Sequence, residues 1–556
     1  MIKKNNNNST IQGLNSIQIT SLTAVIALVS TPLWAGEQID FDNGATMDWS
    51  VTTAYGIGVR TGKQNPSLMT NPNADDADRN FKRGSLTSDG VSALGEIILK
   101  KDNYGAVIRA STFYDDVYHQ KNDNNSPSTV NKSGSNNQFT SDTRYYSGGR
   151  THLLDAYVFD GWAFENGTKL DVKAGRHIES WGESLYYPGV SGVQNPADAV
   201  KAALPGAEVK DILLPVGQFS GSFRINDSVT LGAYVQYEWS GTELPPVGSY
   251  LSSSDVVGPG REFIYANGQK IAYQGTDDPR NSGQWGVQVR YRPVQAVELS
   301  LFHVNYHDKN PATAMIGYDP VAIGGGQYVM SPNGYRIKYF EDIQLTGISA
   351  STKLGDTQIS GEWSYRDGAP VMVNTGLGPT PAKGKGQQMQ LSAIRLLGDR
   401  PWASQTTLTA EIVRVQVDSV QATSAASNLQ GVNLLPSVAS LVAPSSDYTY
   451  NNASGIQTKS SSAYTVGASF SYPAVFPGWD LDVPLVFSDV FSGAAPMVGT
   501  ISGVQGDRRV SVGTTFKYLG NLEVGLTYIG YLGSPDPIMT PFADRSYATA
   551  SVKYTF

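Results

Sequence analysis

The chain has 556 residues, a formal net charge of -8, 16% charged side chains, 58 glycines, 30 tyrosines and no cysteine. Lack of cysteine excludes disulfides, thiolate metal sites and thiol nucleophiles, and the mild acidity argues against nucleic acid as a partner. A hydrophobic fraction of 40% with a mean hydropathy of -0.25 is too polar for a bundle of membrane helices, so the length fits either a few soluble domains or one large barrel whose lumen-facing residues dilute its lipid-facing ones.

At the N-terminus, Lys3 and Lys4, an Asn-rich stretch, the apolar run from Ile17 to Val29, and then Pro32, Leu33, Trp34 and Ala35 follow the order of a secretion signal. Cleavage is expected after Ala35, giving a signal peptide 1–35 and a mature chain 36–556. A retained anchor is the competing reading, but Ser21 and Thr23 interrupt the run, which is shorter than the ~20 residues a spanning helix needs.

Alternating segments then recur to the end of the chain: Thr46 to Arg60, Gly90 to Lys100, Tyr104 to Tyr114, His152 to Phe164, Lys169 to Ile178, Gln218 to Ile225, Ser228 to Trp239, Gln284 to Arg292 and Ala296 to Tyr306. The second half adds Asp342 to Leu354, Thr357 to Arg366, Gln387 to Leu397, Ser404 to Val417, Ala463 to Tyr472, Trp479 to Ser488, Arg508 to Tyr518, Leu522 to Tyr531 and Arg545 to Phe556. That makes about eighteen strands, with sixteen or twenty if one pair is misread, each near the length of a tilted transmembrane strand. Long and short connections alternate. The short ones carry turn residues such as Asp102–Asn103, Asn166–Gly167, Asn226–Asp227 and Gly520–Asn521.

The last strand alternates most cleanly. Ala548, Ala550, Val552, Tyr554 and Phe556 share one parity, and Tyr547, Thr549, Ser551, Lys553 and Thr555 the other. A C-terminal strand of this kind closing on Phe resembles the last strand of bacterial outer-membrane barrels, where a terminal aromatic is part of the signal read by the barrel assembly machinery. No later segment of the mature chain is long and apolar enough for a helix, so a membrane location requires a closed barrel. Val229, Leu231, Ala233, Val235, Tyr237 and Trp239, like Tyr464, Val466, Ala468, Phe470 and Tyr472, make lipid faces that end in aromatics. A soluble sandwich or propeller alternates equally well but does not require the long-short rhythm.

One long connection is richer in apolar residues than an exposed loop should be. Between the fifth and sixth strands, from Arg176 to Phe219, Asn195 caps a short helix expected over Pro196 to Leu204, and Val209, Ile212, Leu213, Leu214 and Val216 follow. Inside a barrel the dry place for such a segment is the lumen, where Trp181 to Phe219 would act as a constriction or partial plug; packing over the outer rim or against a neighbouring subunit is the other placement.

The mature start FDNGATMDWSVTTAYGIGVR, the GRHIESWGES segment, the NPADAVKAALPGAEVKDILLPVGQFSGSFRI run and the following YEW together resemble a proteobacterial family catalogued as domain of unknown function thirteen-oh-two. The resemblance covers essentially the whole mature chain. It implies a secreted outer-membrane barrel, associated with a second periplasmic protein and an inner-membrane transporter of the resistance-nodulation-division type, and hence lipophilic cargo. It supplies no catalytic residues.

The residues offer no enzyme motif: GxSxG and a phosphate loop are both absent, and no cofactor or metal site is read. His303 and His307, four apart on a strand, would stand about 13 Å apart and are expected at an aqueous rim. His177, beside Arg176 and Glu179 and just before Trp181, is the better polar site, with Glu183 and Arg176 as candidate groups at the constriction. Arg290 and Arg292, Glu362 and Arg366, and Arg224 are expected to face the lumen, either lining a polar path or pairing across it. The reading is an all-β, transmembrane antiparallel barrel with an inserted loop-helix segment, passing small lipophilic or amphiphilic solutes by passive diffusion across the outer membrane of a Gram-negative bacterium. The alternative is a surface adhesin or structural barrel with a sealed lumen.

Overall fold

The computed structural model describes residues 36, 38–127, 129–205, 212–452, 455–494, 496–497, 499–501 and 503–556. The expected signal peptide, like Val209, lies outside them.

The strands, in chain order, are β1 Thr46–Arg60, β2 Leu86–Lys101, β3 Tyr104–Asp115, β4 Gly149–Ala163, β5 Lys169–His177, β6 Val216–Arg224, β7 Val229–Gln236, β8 Gln284–Val294 and β9 Val297–Tyr306. They continue with β10 Ile343–Leu354, β11 Thr357–Thr375, β12 Gly378–Leu397, β13 Gln405–Val420, β14 Ser460–Phe476, β15 Trp479–Ser492, β16 Arg508–Tyr518, β17 Leu522–Tyr531 and β18 Tyr547–Thr555. Each is hydrogen-bonded antiparallel to the next, and β18 pairs back onto β1 from Arg60↔Tyr547 to Thr52↔Thr555, closing an eighteen-stranded barrel. Closure leaves no unpaired edge, which is what a sheet in lipid requires. Beyond the last ladder pair, the Phe556 main-chain N–H still donates to the Val51 carbonyl at 2.9 Å.

Alternation decides which residues face outward. In β8, Gln284, Gly286 and Gln288 are buried inside while Trp285, Val287, Val289 and Tyr291 are exposed outside. Exposed aromatics band the outer surface at two levels: Tyr104, Phe164, Tyr291 and Tyr518 at the short-turn end, and Tyr114, Phe219, Tyr237 and Phe491 at the long-loop end.

The long-loop end departs from the sequence reading in three places. The connection expected between Arg366 and Gln387 is drawn into strand: β11 and β12 run 19 and 20 residues and meet at a tight turn. Two other long connections build a four-stranded sheet of Phe263–Ala266, Gln269–Asp277, Thr313–Gly324 and Gln327–Lys338. Pro320, Pro332 and Gly324 to Gly326 make the last two strands read as loop, yet Pro320 sits opposite Met330 within the hairpin. Finally, the helix expected over Pro196 to Leu204 is only a single 3-10 turn, Lys201–Ala203. Ala197 instead bridges Leu213, and the Asp198 N–H donates to the Ile212 carbonyl at 2.7 Å, so extended pairing takes the backbone groups a helix would have used.

Candidate functional site

The described part of the connection between β5 and β6, residues 178–205 and 212–215, lies inside the barrel. Its first limb runs along the inner wall of β7 to β14. The Trp181 ring packs edge-on to Tyr234 with centroids 4.9 Å apart and stacks on Phe302 at 6.4 Å. Two carboxylates that alternation points inward then take hold of the segment's main chain. Glu362 on β11 accepts from the N–H groups of Glu183 at 2.9 Å and Val190 at 2.7 Å. Glu411 on β13 accepts from three successive N–H groups, those of Leu185 at 3.1 Å, Tyr186 at 2.5 Å and Tyr187 at 2.9 Å. Successive amides turned toward one point make a concave anion site, and here the anion is a side chain of the wall. The hydroxyls of Tyr186 and Tyr187 meet Thr409 at 2.6 Å and Thr465 at 2.8 Å.

Neutral and cationic groups complete the docking. Arg366 donates to the Gly189 carbonyl at 3.2 Å and to Gln388 at 3.1 Å, and Gln388 donates to the Pro188 carbonyl at 3.0 Å. Any side chain at Gly189 would collide with the Glu362 carboxylate, so only glycine fits this close approach. Gln218, Gln236 and Gln284 lie side by side on β6, β7 and β8. Gln236 donates to the Gln194 carbonyl at 2.7 Å, Gln194 accepts from the Trp181 N–H at 2.7 Å, and the buried Lys309 donates to Gln284 at 2.6 Å.

The returning limb reaches the other side of the lumen. Asp198 and Glu243 both pair with Arg150 at the start of β4, Asp198 at 3.1 Å. Pro205 lies against Gly56 on β1, where an added Cβ would come within 2.7 Å of the proline ring. Val200, Leu204 and Pro205 bound a small pocket whose wall side is Thr87, Ser88, Tyr547 and Thr549 of β2 and β18. Leu214 and Val216 are buried, as their apolar character requires.

The candidate residues separate into groups. Glu362 and Arg366 face inward and hold the segment. Trp181 is buried as an anchor. Glu183 lies partly buried near Glu298, Glu362 and Arg290. His177 is buried, its Nε2 2.8 Å from the Ser220 hydroxyl and 3.6 Å from Glu179, which Lys173 approaches at 3.8 Å. Arg290 and Arg292 both pair with Glu298, Arg292 at 2.5 Å, with the Arg292 side chain exposed near the short-turn rim. Arg224 is exposed at the same rim. Arg176 has the parity opposite to His177: it pairs with Glu238 and donates to the Pro215 carbonyl at 3.0 Å, and its ladder partner Gly217 looks onto the exposed Tyr237. That is the outward side, because one step along a strand reverses the face. His303 and His307, expected at an aqueous rim, diverge as well; His303 meets Thr346 and Trp285, whereas His307 is fully buried on the Ser282 carbonyl.

Sequence reasoning missed Glu411 and the glutamine ladder. The parity of Glu411 with Val413, Val415 and Val417 is visible in the chain, but its amide partners are 224 to 226 residues away.

The facing wall is differently made. On it Glu96 and Asp155 flank Arg109 at 3.0 and 2.9 Å, Lys517 meets Asp482 at 3.0 Å, and Lys553 meets Glu523 at 2.8 Å. Each contact joins neighbouring strands, so these cations are held within the wall, and the Glu96–Arg109–Asp155 triad keeps one negative charge in excess.

A closed antiparallel barrel, banded by aromatics outside and crossed inside by a segment docked on wall carboxylates, is an outer-membrane β-barrel protein. The chain belongs to the family described as "Protein of unknown function (DUF1302)", whose model matches residues 17–556. No curated protein matches it. Among solved structures it is similar to Acinetobacter baumannii OccAB1, at 8% identity and a TM-score of 0.41 over 94% of this chain and 99% of that one. It is similar also to Pseudomonas aeruginosa OpdK with vanillate, at 11% identity and 0.40 over 92% and 99%. The outer membrane channel DcaP of Acinetobacter baumannii matches at 10% identity and 0.34 over 94% and 100%.

Proposed function

We propose that the protein is an outer-membrane channel through which small lipophilic or amphiphilic solutes pass by passive diffusion, with the segment from Trp181 to Phe219 setting the narrowest part of the path. The observation that carries this reading is the capture of five main-chain amides of the segment by Glu362 and Glu411. Hydrogen bonds to a charged group contribute roughly 1.5–3 kcal/mol each, so the segment is a fixed part of the lumen. The solute class is supported by what stays uncovered: Leu185 and Tyr186 keep 37% and 36% of their surface, while the cations of the facing wall are held in cross-strand contacts with its carboxylates. The long loops face outward from the cell and the short turns face the periplasm. In this reading the chain is secreted through its N-terminal signal and inserted by the barrel assembly machinery, which reads the strand ending in Phe556. A periplasmic partner and an inner-membrane transporter would supply or receive the solute, and the protein performs no chemistry on it.

Flux through proteoliposomes tests this. Refolded protein should pass a small amphiphilic aromatic alcohol faster than a sugar of equal size, and removal of Asn195 to Pro215 should raise sugar flux most. Absence of flux from both proteins, with folding verified by heat-modifiable migration, would favour a sealed structural or adhesive barrel.

A further inference from the structure

At the long-loop end, the connection between β1 and β2 meets the connection between β7 and β8. Asp75, Asp76 and Asp255 converge there, each able to bring a carboxylate oxygen within 4.8 Å of the other two, and all three are buried. Main-chain contacts fix the junction: the Asp255 N–H donates to the Asn73 carbonyl at 2.7 Å, and Asp255 accepts from the Asp76 N–H at 3.1 Å.

Convergence of acids alone would signify little. The second observation is the state of Asp76, whose side chain is 1% exposed and whose two carboxylate oxygens are both buried without a hydrogen-bond partner; one Asp75 oxygen is in the same condition. Buried polar groups are nearly always satisfied, and a buried carboxylate is the group least able to go without.

The cations nearby are engaged elsewhere. Arg60 and Arg545 pair with Asp78, and Arg60 also with Asp544 at 2.9 Å. Arg79 pairs with Asp75. The Lys132 ammonium donates to the carbonyls of Asn136 at 2.9 Å and Gln138 at 3.0 Å. Lys132, Arg79 and Arg545 act on Asp76 or Asp255 only through space, none of them within ion-pair distance of either acid, so the charge of these two carboxylates is offset only in part.

We propose that Asp75, Asp76 and Asp255 bind a divalent cation, Ca2+ in preference to Mg2+, which clips the two connections together at the long-loop end of the barrel. An all-oxygen carboxylate set selects hard cations, and ligands drawn from two separate loops suit the longer, more tolerant coordination of Ca2+ over the strict octahedron of Mg2+. The ion supplies the positive charge that the protein leaves out, and it couples folding of the two connections to metal binding.

Without the ion, burial pushes the Asp76 carboxyl up to about 6 and that of Asp255 well above the usual carboxylate range.

The test uses the full chain refolded in detergent and stripped with EDTA. Calorimetric titration with CaCl2 should report one saturable site, and the heat-modifiability midpoint at neutral pH should rise with Ca2+ and rise less with Mg2+. In Asp76→Asn combined with Asp255→Asn, which keeps shape and removes the uncompensated charge, the Ca2+ response should vanish and the metal-free midpoint should match that of the Ca2+-loaded native chain. The titration on the native chain stands even if that variant does not refold. Absence of Ca2+ binding by the native chain would overturn the proposal. An unchanged Ca2+ response in the double variant would overturn it too.

Discussion

Along β7 to β14 the inward positions carry Tyr234, Phe302, Glu362, Gln388 and Glu411, and the inserted segment lies on them. Along β15 to β18 and on through β1 to β4 they carry Asp482, Lys517, Glu523, Lys553, Glu96, Arg109 and Asp155, paired strand to strand. Both walls follow the same two-residue alternation, so the contrast comes from what stands beside each carboxylate. Where the neighbouring strand offers Lys or Arg, the acid is neutralised in place. Where it offers glutamine and small residues, the acid is free to receive main-chain amides, and it holds a segment across the lumen. An inward carboxylate therefore has its role set by cross-strand neighbours more than by its own position.

The contrast can be broken most strongly from the docking side. Glu362→Ala combined with Glu411→Ala removes both acceptors of the segment's amides and should raise single-channel conductance several-fold with the barrel still heat-modifiable; conductance equal to that of the native chain would mean the segment stays in place without them. A smaller effect is expected from Gly56→Val, which forces Pro205 off β1 and should widen only the returning limb's side, measured as a partial conductance gain. The junction around Lys309 gives a pH test. Burial pushes its ammonium down to about 7, with Asp308 and Glu238 opposing the shift; its neighbours are Gln284 and Gln236. A lowered lysine means the folded state binds fewer protons than the unfolded one, so the unfolding midpoint should climb as pH rises from about 7 toward the ordinary lysine value, and Lys309→Met should flatten that climb. The smallest effect belongs to the facing wall. Lys517→Ala leaves Asp482 unpaired and should shift reversal potential slightly toward cation selectivity, with a stability loss of about 0.2–1 kcal/mol for a partly exposed pair.

The sequence carried the barrel well. Thr46–Arg60, Arg508–Tyr518 and Leu522–Tyr531 begin and end where alternation places them, because a strand facing lipid on one side and a lumen on the other must alternate throughout its span. The long-loop end was harder to read. Outside the membrane no lipid enforces the pattern, so the extension of β11 and β12 and the hairpin around Pro320 and Pro332 resemble loop until their partners are known. The candidate site was half legible: Glu362 and Arg366 could be placed by parity and Trp181 by the apolar content of its connection, whereas Glu411 acts through amides brought to it by the fold, and Arg176 missed the lumen by a single step of register. Asp255 stands 179 residues beyond Asp76, a separation at which no spacing rule operates.

The most direct measurement is planar-bilayer conductance of the refolded native chain beside the Glu362→Ala, Glu411→Ala variant and the chain lacking Asn195 to Pro215. A segment that sets the narrowest part of the path predicts small stepwise currents from the native chain and larger ones from both altered proteins. Equal currents from all three would contradict it, since the path would then bypass the segment; silence from all three, with folding verified, would contradict an aqueous path altogether.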